Sequence, residues 1–576
     1  MAVLALKQIE KQQDTSLLQA RLQKEASEVQ NPYKAKVIEF MVSEGIESIA
    51  DLDYPARVRF EKWLTYHTNA VENRHYILVF DKLKQYSVSK EIHIIADGKP
   101  VRPNYENTIL FLPYHPNPDI RAMFRKSTKK SELAWDFTLN APECLKRQVF
   151  DILHYALEEN VSYETRRNHL LGLRELYSFC ISEKIDDIEL MEQSQEQKFK
   201  SIDSERLNSC KRAGIISFCR KALFMQAEKI NWNAHVWYME RFQIQPERLD
   251  ASCHINTFSF VELPHEKNRE LLKKYARYNL GVTNLSISVI RGEHTYVRSF
   301  LSEINQSEDE DVCSVTPAQM ENYFKEQRQR SVQAETYNKI VMAIQHFFNF
   351  LKARQYIERK PFDAECCLKK TIPRHLDRSV GQEVADEILE KLCYFPETIR
   401  LMYLHLWGIG LRVSEVCTLK GDAYYIQGKD AWIQVYQIKM RTYKRIPIPD
   451  ALYKLMKVYL KKHEIKADDY VFQNTKGGAY CKTTFRYNML KHCELNNIQN
   501  GDYVFKSHDY RHTIATYFYD TGVPLQSIRD YLGHDYEEMT EQYIDYMPKK
   551  IEKASEDYFS QHSLAACMKR GEKNNG

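Results

Sequence analysis

Apolar positions change their period along the chain, and the changes predict its elements. From about residue 144 to 375, apolar side chains recur at three- and four-residue spacing with few glycines, which predicts a succession of amphipathic helices. Residues 1 to about 140 are mixed. A helical stretch over 54–67 precedes strand-like runs at 91–95 and 108–114, with Asp97-Gly98 as a turn signal between them. From about Gly381 an amphipathic helix opens a further region that runs to about Tyr558, where 432–436 and 443–448 alternate as a pair of strands. The fold class expected is mainly α with small β elements, spread over several domains.

The helical stretch echoes itself. A shift of 171 residues aligns Ile152-Leu153 with Tyr323-Phe324, Glu164-Thr165 with Glu335-Thr336, Leu173 with Ile344, Leu176-Tyr177 with Phe347-Phe348, and Phe179 with Phe350. Either two related helical modules are present, or two amphipathic helices share a period. The expected organisation is an α+β domain over 1–140 without an assigned role, helical modules over 141–262 and 263–368, a linker over 369–380, a mixed α+β domain over 381–558 and a tail over 559–576. The linker carries Lys369, Lys370, Arg374 and Arg378 around Pro373, with Asp377 its one acid, and reads either as a solvated segment or as a phosphate contact.

Composition narrows the class. In 576 residues there are only 18 Gly and 18 Pro, which favours long helices over loop-rich β architecture. With 43% hydrophobic and 28% charged residues, the chain is globular rather than disordered or collagen-like. Lys and Arg number 82 against 78 Asp and Glu, and the resulting +4 does not by itself identify a polyanion partner. The 13 Cys contain no C-x-x-C pair, so neither a zinc knuckle nor a disulfide framework is written in their spacing. A reducing, intracellular setting is expected, since no apolar run is long enough to cross a membrane and the start is too short for a signal-peptide core.

Chemistry concentrates after residue 400. Arg412 and Glu415 stand three apart at the start of an apolar helix, which taken alone reads as a structural ion pair. Lys439, Arg441, Lys444 and Arg445 place four cations without an acid in a hairpin, alone a solvated turn or a phosphate contact. Ser507 can cap a helix on which His508 and Arg511 share one face, an acid/base candidate beside a bidentate phosphate ligand. Pro524 opens another helix, which Gly533 caps. His534 follows that cap, and Tyr543 comes nine residues later on a helix that Thr540 can cap.

In this order and spacing, Gly410-Leu-Arg412-Val-Ser-Glu415, Lys439, His508-x-x-Arg511-His-Thr-x-Ala-Thr516, Leu532-Gly-His534 and Tyr543 resemble the catalytic signature of the tyrosine recombinase (phage integrase) family. The resemblance covers about 381–558 closely and 267–365 loosely, the latter as the family's helical core-binding, DNA-binding domain. The excess N-terminal length is similar to that of the large tyrosine transposases of mobile elements.

The resemblance implies a site-specific recombinase that cleaves and rejoins DNA through a 3′-phosphotyrosine, mediating integration or excision of a mobile element. Tyr543 would attack the phosphate, with Tyr536 and Tyr546 as lesser alternatives. Arg412 and Arg511 would hold the non-bridging oxygens, His508 would act as base, and His534 would donate to the phosphate. Glu415 would brace the site. Lys439, eight residues before Pro447 as in the family's hairpin, would protonate the leaving oxygen, with Lys444 as runner-up. No cofactor or metal is implied. Lys369, Lys370, Arg374, Arg378, Arg441 and Lys444 are candidate DNA contacts. The partners expected are duplex DNA with specific sites, a homotetramer, and possible further recombinase subunits or accessory proteins, in the cytoplasm on the nucleoid. The rival readings are a type IB-like topoisomerase, a catalytically vestigial architectural protein, and an N-terminal half that serves as a protein scaffold.

Overall fold

The structure is a computed structural model that describes residues 15–68, 73–95, 103–124, 130–202, 208–304, 310–371 and 378–541. Helices dominate, as the periodicity predicts. Among the described residues no helix is long and apolar enough to cross a membrane. Contacts divide the chain into two units, 1–241 with 259–264, and 242–258 with 265–576.

In the first unit, helices α1 (Lys34–Glu44), α2 (Tyr54–His67) and α3 (Asn73–Ile95) enclose a core in which Phe60 packs on Phe40 and Phe80, ring centroids 5.0 and 5.2 Å away. Asp53 caps α2 by accepting from the Ala56 N–H at 2.7 Å. The strand expected over 91–95 is the last turn of α3. A helix already propagating from Asn73 extends at small cost, whereas an unpaired strand there would leave its backbone polar groups without ladder partners.

The run over 108–114 splits into β1 (Ile109–Phe111) and a 3₁₀ turn at Leu112–Tyr114, and β1 pairs antiparallel with β2 (Ala134–Asp136), Leu110 opposite Trp135. These strands share one core with α4 (Glu143–Glu158), α5 (Tyr163–Ser182) and α6 (Ser209–Gln226), through Trp135, Leu145, Leu153, Leu173, Leu176 and Cys219. The boundary expected near residue 140 thus runs through a continuous core.

In the second unit, α7 (Glu266–Gly281), α8 (Ile287–Glu303), α9 (Pro317–Gln329) and α10 (Ala334–Ala353) form a helical module around Tyr275, Ile290, Phe300, Val341 and Phe347. The offset of 171 relates α5 to α10 end to end. Both helices close through a left-handed residue, Lys184 at φ 56° and Gln355 at φ 61°. The next N–H returns in each case to the helix, Ile185 to the Cys180 carbonyl at 2.8 Å and Tyr356 to the Leu351 carbonyl at 2.9 Å.

The region after 378 has one main core built from α11 (Glu397–Ile409), α12 (Val413–Cys417), the antiparallel sheet β3 (Tyr424–Gln427), β4 (Asp430–Gln437) and β5 (Thr442–Pro447), α13 (Lys482–Leu495) and α14 (Ser507–Asp520), and a smaller cluster in which Ile528 and Leu532 of α15 (Leu525–Leu532) meet Ala515 of α14. Strands β4 and β5 fall where the alternation predicts them, paired Trp432 with Pro447 through Gln437 with Thr442. Strand β3, on the other side of β4, lacked a sequence signal strong enough to predict it.

Candidate active site

Three chain turns bring the candidate residues together. Helix α11 ends at Gly410 in the left-handed conformation, φ 63°, so the chain reverses and Arg412 stands at the start of α12 as its cap residue. Glu415 reaches back: its Oε2 accepts from the Arg412 N–H at 2.9 Å and its Oε1 from the Arg412 guanidinium at 2.8 Å. Strand β5 turns Lys444 and Ile446 inward, and the Lys444 Nζ lies 3.2 Å from Glu415 Oε2 and donates to the Leu532 carbonyl at 3.3 Å.

Arg511 is fully buried on α14. Its guanidinium donates to the Gly410 carbonyl at 2.9 Å, to the Leu532 carbonyl at 2.5 Å and to His534 Nε2 at 2.9 Å. Gly533, φ 69°, caps α15, and a Cβ there would lie 2.2 Å from the Gln437 Nε2. The absence of that Cβ lets Gln437 donate to the Gly533 carbonyl at 3.0 Å and tie β4 to the turn that presents His534. Helix α14 begins at Ser507 with Lys506 in the cap position and without a side-chain cap, one residue from the capping expected of Ser507.

Charge organises this cluster. Burial works to raise the Glu415 pKa, but Lys444, Arg511 and Arg412 outweigh it and hold the carboxylate at about 2. Burial lowers Lys444 to about 8 although Glu415 opposes it. Burial, then Arg511, Arg412 and Lys444, bring His534 to about 3, so its ring is neutral. Its Nε2 accepts from Arg511, which leaves the proton on Nδ1, 2.9 Å from the Thr540 hydroxyl. His534 was expected to donate to a phosphate; as folded here it holds Arg511 in place. His508 is lowered by burial and by the field of Arg511, Lys439, Arg412 and Arg378, and is therefore a neutral base near pH 7.

The remaining candidates are dispersed. Lys439 is exposed on the turn between β4 and β5, and Lys370 and Arg378 are exposed. Lys369 is occupied by the helical module, its Nζ 4.5 Å from the centre of the Tyr337 ring and its backbone paired with Asn338. Arg441 donates to the Asn284 carbonyl at 2.9 Å. Tyr536 is 67% exposed. Tyr543, Tyr546 and Arg374 lie outside the described residues. Thr540, expected as a helix cap, lies instead within the helix Glu537–Glu541 and meets His534. Gln437 was not anticipated as a contributor to the site, since a bond from a strand end to a helix cap exists only after folding. Among the described residues no group of three or more His, Cys, Asp or Glu side chains is placed to hold a metal ion.

Residues 378–550 match the phage integrase family. The chain is 26% identical over 329 residues to transposase B from transposon Tn554 of Staphylococcus aureus, a match covering 54% of this chain and 51% of the relative. It therefore spans about half the length of that relative. It is 24% identical over 293 residues to the tyrosine recombinase XerA of Thermococcus onnurineus, covering 50% of this chain and 96% of the relative. Among solved structures, the XerH site-specific recombinase bound to difH substrate aligns with 54% of this chain and 93% of its own, at 15% identity and a TM-score of 0.38. The ordered motif set and the geometry that joins it fall within the matched residues 378–550, and over about half its length the chain is similar to this transposase and to tyrosine recombinases.

Proposed function

We propose that the protein is a site-specific DNA recombinase that cuts and rejoins strands through a 3′-phosphotyrosine, moving a mobile element into or out of its site. The observation that carries this reading is the charge balance of the cluster. Arg412, Lys444 and Arg511 face a single carboxylate, Glu415, and that surplus of positive charge in a largely buried place calls for an anion. A DNA phosphodiester supplies one. Guanidinium forks match its non-bridging oxygens and stabilise the charge that grows on them during attack.

In this reading Tyr543 is the nucleophile. A phenol of ordinary pKa about 10 needs a base and a positive field, which neutral His508 and the arginines provide. The Tyr543 oxygen bonds to phosphorus as the bond to the 5′ oxygen breaks; the departing electron pair stays on that oxygen, which takes a proton from Lys439. Lys444 is a less suitable acid, since its ammonium is committed to Glu415 and Leu532. Because the phosphodiester energy is kept in the tyrosyl link, no cofactor or nucleotide is called for. The partners are duplex DNA carrying the recombination site and further copies of the chain, four at a synapse, with accessory proteins where the site demands them.

The test is a nicked duplex cut from the DNA flanking the gene, incubated with the protein and resolved in detergent. A denaturant-resistant protein–DNA adduct is expected, with mass spectrometry locating it on Tyr543. Tyr543→Phe should bind the same duplex and form no adduct. An adduct that persists in this variant would transfer the nucleophile to another residue.

A further inference from the structure

We propose that Arg441 is a positioning residue for the leaving-group step. It fastens the turn that carries Lys439 to a carbonyl cluster at the end of α7, and Arg248 holds that cluster in place.

The last carbonyls of a helix lack intrahelical partners and form the negative end of its dipole, so they attract cations. At the end of α7 one arginine takes them, and a second takes a carbonyl of the loop that follows. Arg248, buried, donates to the Leu285 carbonyl at 2.8 Å, the Leu280 carbonyl at 2.8 Å and the Asn279 carbonyl at 3.0 Å. Arg441 donates to the carbonyl of Asn284 in the same loop. The two guanidiniums are close enough that the charge of Arg441 adds to burial in lowering the Arg248 pKa.

Arg248 belongs to the Phe242–Phe258 strap, which is tied to α13 just after this residue. Asp250 pairs with Lys482 at 2.8 Å, and the Ser252 carbonyl accepts from the Lys482 N–H at 3.0 Å, at the first residue of α13. The middle of the strap therefore joins the α7 loop to the start of α13, and the loop becomes a fixed reference for the hairpin. The turn itself is closed by Met440 and Arg441 N–H groups on the Gln437 carbonyl, at 3.1 and 2.8 Å, with Arg441 in the left-handed region at φ 54°. Lys439 lies two residues before Arg441 and, held in this way, contributes to the field on His508. The turn that carries Lys439 is thus anchored on both of its sides, by its own backbone bonds and by Arg441. The anchoring residues are a loop of the helical module and a segment N-terminal to it.

This inference rests on the reading of Lys439 as the general acid, and the experiment separates the two. The full chain is assayed for adduct formation on nicked duplexes from the DNA flanking its gene, with the bridging 5′ atom either oxygen or sulfur. A sulfur leaving group departs as thiolate and does not require the proton. Lys439→Ala should slow the oxygen substrate about 100-fold or more, within the usual range for a lost general acid, and recover on sulfur. Arg441→Ala should slow the oxygen substrate about tenfold and recover on sulfur.

Arg441→Gly, which relieves the positive φ while removing the guanidinium, should be equally slow. If it matched wild type, the contact would be irrelevant and the inference overturned. A wild-type rate for Arg441→Ala on oxygen, or a loss that persists on sulfur, would also overturn it while leaving the proposed function intact. Recovery of Lys444→Ala but not Lys439→Ala would place the acid elsewhere and remove the premise. An absence of adduct with the wild-type chain would defeat the functional reading itself.

Discussion

Glu415 shows how one side chain sets the state of a whole site. Its folded pKa of about 2 lies below its ordinary value of 4.5, so it contributes stability that is present above about pH 4.5 and lost as pH falls through about 2. Glu415→Gln should flatten the dependence of urea midpoints on pH across that window. Because it leaves three cations facing one another, it should also cost about 3–5 kcal/mol at neutral pH. Gly533 works by what it lacks. Gly533→Ala must accommodate a Cβ beside Gln437 at a left-handed φ, which costs about 1–2 kcal/mol. By displacing the turn before His534 it should also slow adduct formation, so a variant with wild-type rate and stability would refute the close approach. At this scale the sequence was informative about identity and poor about partners. The spacing of Arg412, His508, Arg511 and His534 marked a site, but Lys444, expected as a DNA contact or runner-up acid on a solvated turn, is turned inward with Ile446 on β5. That Arg511 is held by two backbone carbonyls and a neutral imidazole depends on atoms more than 20 residues apart.

Periodicity fixed the helices well, because an amphipathic face repeats locally and a helix satisfies its own backbone. It failed where a short apolar run had two local solutions, as at 91–95, which joins α3 instead of pairing as a strand. Packing between helices left one legible trace. Gly172 in α5 faces Ile215 of α6 so closely that a Cβ there would lie 2.2 Å from it. Gly172→Ala should therefore destabilise the first unit by about 1–3 kcal/mol through overpacking, measured by urea unfolding, despite the better helix propensity of alanine. An increase in stability would show that α5 and α6 can separate without loss. The matched ends of α5 and α10 carry the internal echo from sequence into structure.

For the whole molecule, the first unit ends at 241 rather than at the expected 262, and only 259–264 returns to it. The Phe242–Phe258 strap belongs with the helical module and the catalytic region, through Arg248 and the Asp250–Lys482 pair. A chain of residues 242–576 should fold and unfold cooperatively, whereas 265–576 should melt several degrees lower for want of those contacts; equal melting temperatures would make the strap dispensable. The sequence by itself determined the helical class, the β4–β5 hairpin and the ordered set of catalytic residue types, because these depend on local period and on spacing along one chain. Only the tertiary structure decided which cation meets Glu415, which carbonyls hold Arg511 and which N-terminal segment anchors the hairpin. Those contacts join residues from 21 to 232 positions apart, and such pairings are specified by packing, which no local pattern encodes.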